Sequence, residues 1–235
     1  MTADDPSIDQ GLRGAREAAE ALAAALDLAP QDVPAELRRL PGDLRGAPIA
    51  LHTRRFAGPR WALTLAEITA ADGALIAFTA IGLPAGAPAP ILGVDLVAVQ
   101  GALSLVAVDL APTDDAAWSA AEPALVRLHQ ATAELVVPRR RPEFADEVFS
   151  PRALIAGARR GHEAAALAAV AAFLREVAPI VAAATATPTV HHAADERRRR
   201  WCLAERRNRR EHDALARMFG AGPASSYSEF LFPSL

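Results

Sequence analysis

A run of strand-like segments between residues 48 and 109, with nothing helical among them, constrains this chain most. Residues 48–53, 60–68, 74–81, 93–99 and 102–109 follow the short apolar alternation of half-buried strands. Turn signals separate them: Ala57-Gly58-Pro59, Asp72-Gly73 and Gln100-Gly101. Asp-Gly and Gln-Gly pairs at these places predict hairpins, and neighbours joined so closely pair antiparallel. Outside this block the period becomes helical. Residues 8–29 place Leu12, Ala19, Leu22 and Leu26 at helix spacing, and a short helix at 35–40 lies between Pro34 and Pro41. Residues 116–135, 163–184 and 193–219 follow, with a short element at 226–231. Strands in one run and helices in another predict an α+β domain with helices covering an antiparallel sheet. No long polar linker and no internal repeat divides the chain. The expected organisation is one domain over 1–235, a helical N-terminal extension (1–45) preceding a core (46–235).

Several function classes fall away on composition. The net charge of −3 argues against a general nucleic-acid binder. The single cysteine, Cys202, excludes a disulfide framework and fits a reducing cytoplasm; it reads as a buried helix thiol. The acidic N-terminus has no basic segment followed by an apolar core, so the expected location is cytoplasmic. The alanine-rich stretch 161–187 carries Glu163, Arg175, Glu176 and Pro179, which favours a core helix over a membrane span. No metal or bound cofactor is expected. One cysteine ligates no iron–sulfur cluster, and the adjacent pair His191-His192 lacks the three- or four-residue spacing of ligands on one helix face. There is no Gly-x-Gly-x-x-Gly following a strand and no Gly-x-Ser-x-Gly. With all 25 basic residues Arg, there is no phosphate-loop lysine either. A redox function would have to draw its electrons from outside the chain.

Three blocks carry a resemblance. The first is Pro90-Ile-Leu-Gly-Val-Asp95, with Asp109 of an Asp-Leu-Ala-Pro turn fourteen residues later. The second is Phe149-Ser150, preceded by Arg140 and the run 143–148. The third is the C-terminal series Trp201, Asn208, Leu215, Phe219-Gly220, Tyr227 and Leu231-Phe232. In order and spacing they resemble the ferredoxin-dependent bilin reductases, from about residue 46 to the end. The resemblance implies a three-layer α/β/α sandwich holding an open-chain tetrapyrrole between sheet and helices. It implies a cofactor-free enzyme that takes single electrons from reduced ferredoxin and supplies protons to a bilin radical. The substrate would be biliverdin or a dihydrobiliverdin, the product a phytobilin, and a heme oxygenase is a possible supplier.

Asp95 is the candidate proton donor. Aspartate is disfavoured in strands, and burial raises a carboxyl pKa toward the range where it serves as a general acid. The alternative, an edge-strand Asp turned to solvent, stands beside it. Asp109 reads as a turn or helix-cap residue. By the resemblance, Ser104 is a candidate substrate contact. Arg140 and Arg210 would lie near the bilin propionates, which arginine grips in a bidentate fork. Asn208 belongs to the C-terminal motif. Where the phycocyanobilin-forming branch has a Glu, this chain has Thr64. Where that branch has a His, it has Phe78 or Thr79; where many members have Asp after the Asn, it has Arg209.

Segment 195–217 carries nine Arg against five acidic residues. Glu196/Arg200 and Glu205/Arg209 sit at the i,i+4 spacing of a solvated helix, and the same excess suits docking of an acidic ferredoxin. Fewer donors than usual favour a two-electron reduction. They also leave room for a bilin carrier without activity, or a reductase of another linear tetrapyrrole such as a chlorophyll catabolite.

Overall fold

The computed structural model describes residues 6–71, 73–186 and 192–233. Asp72 of one expected hairpin and His191 of the histidine pair lie outside the described residues. The chain folds as α1 (Pro6–Ala25), β1 (Ala29–Gln31), α2 (Ala35–Arg38), β2 (Arg39–Leu44), β3 (Ala47–Ala57), β4 (Trp61–Ala70), β5 (Leu75–Pro84), β6 (Ile91–Val99) and β7 (Ala102–Ala111). Then come α3 (Asp115–Thr132), β8 (Val136–Pro138), α4 (Glu143–Asp146), β9 (Leu154–Ala158), α5 (Glu163–Thr185), α6 (His192–Arg206), α7 (Arg209–Phe219) and α8 (Ala221–Leu231).

The sheet is antiparallel throughout, ordered β1-β3-β4-β5-β6-β7-β9-β8, with β2 also pairing β3. The strands from β3 to β7 form the expected meander. β9 enters only after α3, beside β7, so strands and helices are not two clean runs. β9 is five residues of Leu-Ile-Ala-Gly-Ala, too short and apolar to show a period.

Helices cover both faces. On one, Trp61, Leu63, Leu65, Phe78, Leu92, Val94, Leu96, Val106, Val108 and Leu110 pack under α1, α3 and α5. On the other, Ile49, Leu51, Ala66, Ile81, Leu83, Ile91 and Ala111 pack under α6, α7 and α8. The fold is therefore an α+β sandwich of three layers. The N-terminal 45 residues are no appendage: α1 lies along α5, and β1 and β2 both pair β3.

α5 is long and apolar enough to cross a membrane by composition, with a mean hydropathy of 1.8 over its best window. Its apolar stripe Leu167, Val170, Phe173, Leu174 and Val177 is buried against neighbouring helices and the sheet. The expected continuous helix 193–219 is broken. Asn208 caps α7, its side chain accepting from the Glu211 amide at 3.4 Å. Asparagine competes for backbone groups in this way and so starts helices more readily than it continues them.

Candidate functional site: an acid-lined trough on the sheet

Strand alternation divides β6 between the two layers. Leu92, Val94, Leu96 and Ala98 are buried under α1 and α5, so Ile91, Gly93, Asp95 and Val97 point to the α6–α8 side. Cross-strand register then sets a row on that face: Thr53, Ala66, Thr79, Asp95, Ala107, Ile155. The next row one way is Leu51, Ile68, Ala77, Val97 and Leu105; the other way it is Arg55, Thr64, Ile81, Gly93 and Asp109.

α6–α8 bury the β3–β5 part of this face. Thr79, Asp95, Val97, Leu105, Ala107 and Ile155 remain only half-buried. These residues floor a trough across β5, β6, β7 and β9, where the small Gly93 and Ala107 leave room above the backbone. At one end Trp201 of α6 lies over Gly93, and α4 abuts α6. There Asp109 accepts hydrogen bonds from the Ser150 amide (2.9 Å) and hydroxyl, while Arg141 donates to the Ser150 carbonyl at 2.8 Å.

Asp95 accepts a hydrogen bond from the Thr79 hydroxyl at 3.0 Å. Removal from water raises its pKa to about 6, against the opposing pull of Thr79. Asp109 is likewise raised to about 6 by burial, offset by Ser150 and Arg141. Two further acids close in from the helices. Glu211 of α7 is pushed up to about 7 by burial and by the nearby Asp95, with Asn208 pulling the other way through an amide N–H to Oε2 at 3.0 Å. Glu205 of α6, 8 % exposed, is held well above the usual glutamate range by burial and by Glu211, Asp95 and Asp109. Burial raises the Tyr227 phenol of α8 as well, and Glu211 and Asp95 add to that shift. The site is thus a set of carboxyls whose proton affinity burial lifts above the ordinary carboxylate range.

Other expected residues fall in different places. Thr79 resolves the choice between Phe78 and Thr79: Phe78 pairs with Leu96 and is buried in the opposite core, where it touches nothing of the trough. Thr64 is buried on the trough side, one row from Asp95. Ser104 sits at the β6–β7 bulge and donates its hydroxyl to the Val97 carbonyl at 2.9 Å, a structural use of the group. Arg140 and Arg210 are exposed and outside the trough, as is Arg209; Arg141, next in sequence, turns inward instead. Asp109 is no helix cap. Asp114 caps α3, accepting from the Ala116 and Ala117 amides, and Asp109 fastens β7 to the 149–150 segment.

Sequence reasoning missed Glu205 and Glu211. The spacing of Glu205 and Arg209 suggested a solvated pair, but Trp201, Cys202 and Glu205 share the buried side of α6. Glu211 was detectable only as the residue three after an N-cap Asn, the place of a capping box. Cys202 is buried, and burial lifts its thiol to about 11, which leaves it protonated and unreactive.

Sheet and helices thus leave an open strip of the sheet face with buried carboxyls beside it. The chain belongs to the ferredoxin-dependent bilin reductase family, whose model matches residues 15–233; it is an oxidoreductase, and its general activity is ferredoxin-dependent bilin reduction. The match begins inside α1, well before the expected core boundary at 46. No curated protein sequence matches the chain. Among solved structures it is similar to the selenomethionine form of phytochromobilin synthase from tomato, crystallised in complex with biliverdin. The TM-score is 0.79 at 14% identity, over 93% of this chain and 81% of that one. That likeness is one of fold.

Proposed function

We propose that this protein reduces biliverdin or a dihydrobiliverdin to a phytobilin in single-electron steps from ferredoxin, with Asp95 as proton donor. The observation that carries the reading is Asp95 itself, half-buried on the trough floor, hydrogen-bonded to Thr79 and raised to about 6. A carboxyl raised to about 6 holds its acid form far more often near neutral pH than an ordinary aspartate does, and still releases its proton readily, as a general acid must. The tomato relative's biliverdin complex supports biliverdin as the ligand class. Arg141, which donates to the Ser150 carbonyl at the Asp109 end of the trough, offers a guanidinium for a bilin propionate. Arg141 joins Arg140 and Arg210 as a candidate for that role.

Exposed Arg199, Arg200, Arg207, Arg209 and Arg210 have no ion pair among the described residues, and they supply the face for an acidic ferredoxin. Biliverdin, ferredoxin, a ferredoxin reductase and NADPH, mixed with the protein, test the reading through the visible spectrum. Reduction shifts the bound bilin's absorption. A bound spectrum unchanged under reduction would instead make the protein a carrier.

A further inference from the structure

Two features meet at one end of the trough, and the protein's own packing explains neither. The first is Gly93, in the middle of β6. It pairs in regular register with Ile81 and Asp109, and its φ is not positive. A Cβ built on it would meet Trp201 Cζ2 at 3.9 Å, and nothing else among the described residues within 4 Å beyond its chain neighbours. That is ordinary van der Waals contact, so alanine would fit here. Glycine weakens the interior of a strand and is found where a ligand or another backbone comes close. No other backbone of the described residues comes close to Gly93.

The second feature is Trp201 of α6. It is 4 % exposed, and its Nε1 is closed to solvent with no acceptor among the described residues. A buried donor left unpaired is costly, and native structures keep few of them. The ring packs edge-to-face on Phe232, with centroids 5.7 Å apart, a contact that phenylalanine would make as well. Cζ2 and Nε1 are both bonded to Cε2, so the atom nearest Gly93 and the N–H share one edge of the indole. That edge faces β6 beside Gly93, which stays half-buried and joins the strip that runs to Asp95. The neighbouring side chains do not serve it. Ile81 has no acceptor, and Asp109 is engaged by the Ser150 amide and hydroxyl.

We propose, resting on the reductase reading above, that Gly93 and Trp201 form the seat for one lactam end of the tetrapyrrole. The bare backbone at Gly93 lets a flat end ring lie close to the strand. The Trp201 N–H donates to the lactam oxygen of that ring. A bilin brings what the seat lacks, a planar conjugated end that carries a carbonyl. Asp95 is two residues farther along the same face, about 7 Å at the usual strand rise. The seated ring and the methine bridge joined to it therefore lie nearest Asp95, and the central bridge lies farther away. Asp95 delivers its proton at that end of the ligand.

The test uses the full chain and biliverdin. Gly93→Ala should have a urea midpoint equal to wild type or higher, yet bind biliverdin about tenfold more weakly, as overpacking by one methyl group does. Trp201→Phe keeps the ring on Phe232 and deletes the donor. Its biliverdin affinity should fall about threefold to tenfold, the loss of one hydrogen bond. One lactam C=O stretch in the resonance Raman spectrum of the bound bilin should move to higher frequency. The isosteric 3-benzothienylalanine in place of Trp201, with sulfur where the N–H was, should give the same shift even if phenylalanine leaves too large a gap to fold. Reduction in D2O should place carbon-bound deuterium in an end ring or on the methine next to it. Wild-type affinity in Gly93→Ala, unmoved C=O stretches in the Trp201 variants, or deuterium at the central methine would overturn the seat and leave the reductase reading standing. Binding with these shifts but without reduction would overturn the reductase reading alone. Wild-type protein that does not bind biliverdin would overturn both.

Discussion

Thr79 and Asp95 stand directly opposite each other on β5 and β6, and the Thr79 hydroxyl donates to Asp95 Oδ1 at 3.0 Å. The bond favours the ionised carboxylate, while burial favours the neutral acid and is the stronger effect. Thr79 therefore tempers Asp95.

Thr79→Val keeps the shape of the side chain and deletes the donor. Asp95 should then hold its proton to higher pH, and the falling alkaline limb of the reduction rate should move upward. A rate–pH profile under saturating ferredoxin checks this. A limb that stayed in place would mean that Thr79 does not act on the donor.

The raised acids also tie stability to pH. Asp95, Asp109 and Glu211 keep protons to about 6, 6 and 7 in the folded state, against ordinary values of 3.8, 3.8 and 4.5. Below these ordinary values both states are protonated, and the groups contribute no difference. Between about pH 4 and 7 the unfolded chain releases its protons first, so stability falls and stays lower above that window. Glu211→Gln should accordingly raise the urea midpoint at pH 8 relative to wild type and leave the acidic end unchanged. An equal gain at pH 4 would contradict the linkage.

Much of this arrangement was legible in the sequence, and the reasons for the rest are physical. Asp95 in an apolar strand is visible because an ionisable group interrupts the alternation, and the period of two already says that it opposes Leu92, Val94 and Leu96. The choice between Phe78 and Thr79 was beyond the sequence, because a one-residue slip in register exchanges the faces, and only the observed pairing of Thr79 with Asp95 fixes it. The arginines pose a similar difficulty. Arg139, Arg140 and Arg141 are consecutive, and which of them turns inward depends on the bond from Arg141 to Ser150. The acids on α6 and α7 stayed hidden because the helix breaks at Asn208, which rotates Glu211 relative to the phase of a continuous helix.

The exposed arginines of α6 and α7 give a prediction about rate. Attraction to an acidic ferredoxin is screened by salt, with a Debye length of about 10 Å at 0.1 M. Raising ionic strength from low to moderate should slow reduction severalfold at subsaturating ferredoxin. Arg209→Glu with Arg210→Glu should raise the KM for ferredoxin without changing biliverdin binding. A rate indifferent to salt would remove this face from the docking account.

The seat of α7 is set by a glycine. A Cβ on Gly42 of β2 would overlap the Met218 carbonyl and the Phe219 ring. Gly42→Ala should therefore push α7 off β2 and cost about 1–3 kcal/mol, the usual range for overpacking. Chemical denaturation measures the effect, and an unchanged midpoint would show that α7 tolerates the methyl group.

The central claim concerns Asp95, and the most direct measurement is anaerobic reduction of bound biliverdin by ferredoxin in wild type and Asp95→Asn. Loss of a positioned general acid costs about 100-fold or more, with ground-state binding little changed. The expected result is a biliverdin affinity within a few-fold of wild type and a first proton-coupled step slowed by that factor. Full reduction at the wild-type rate in Asp95→Asn would contradict the account.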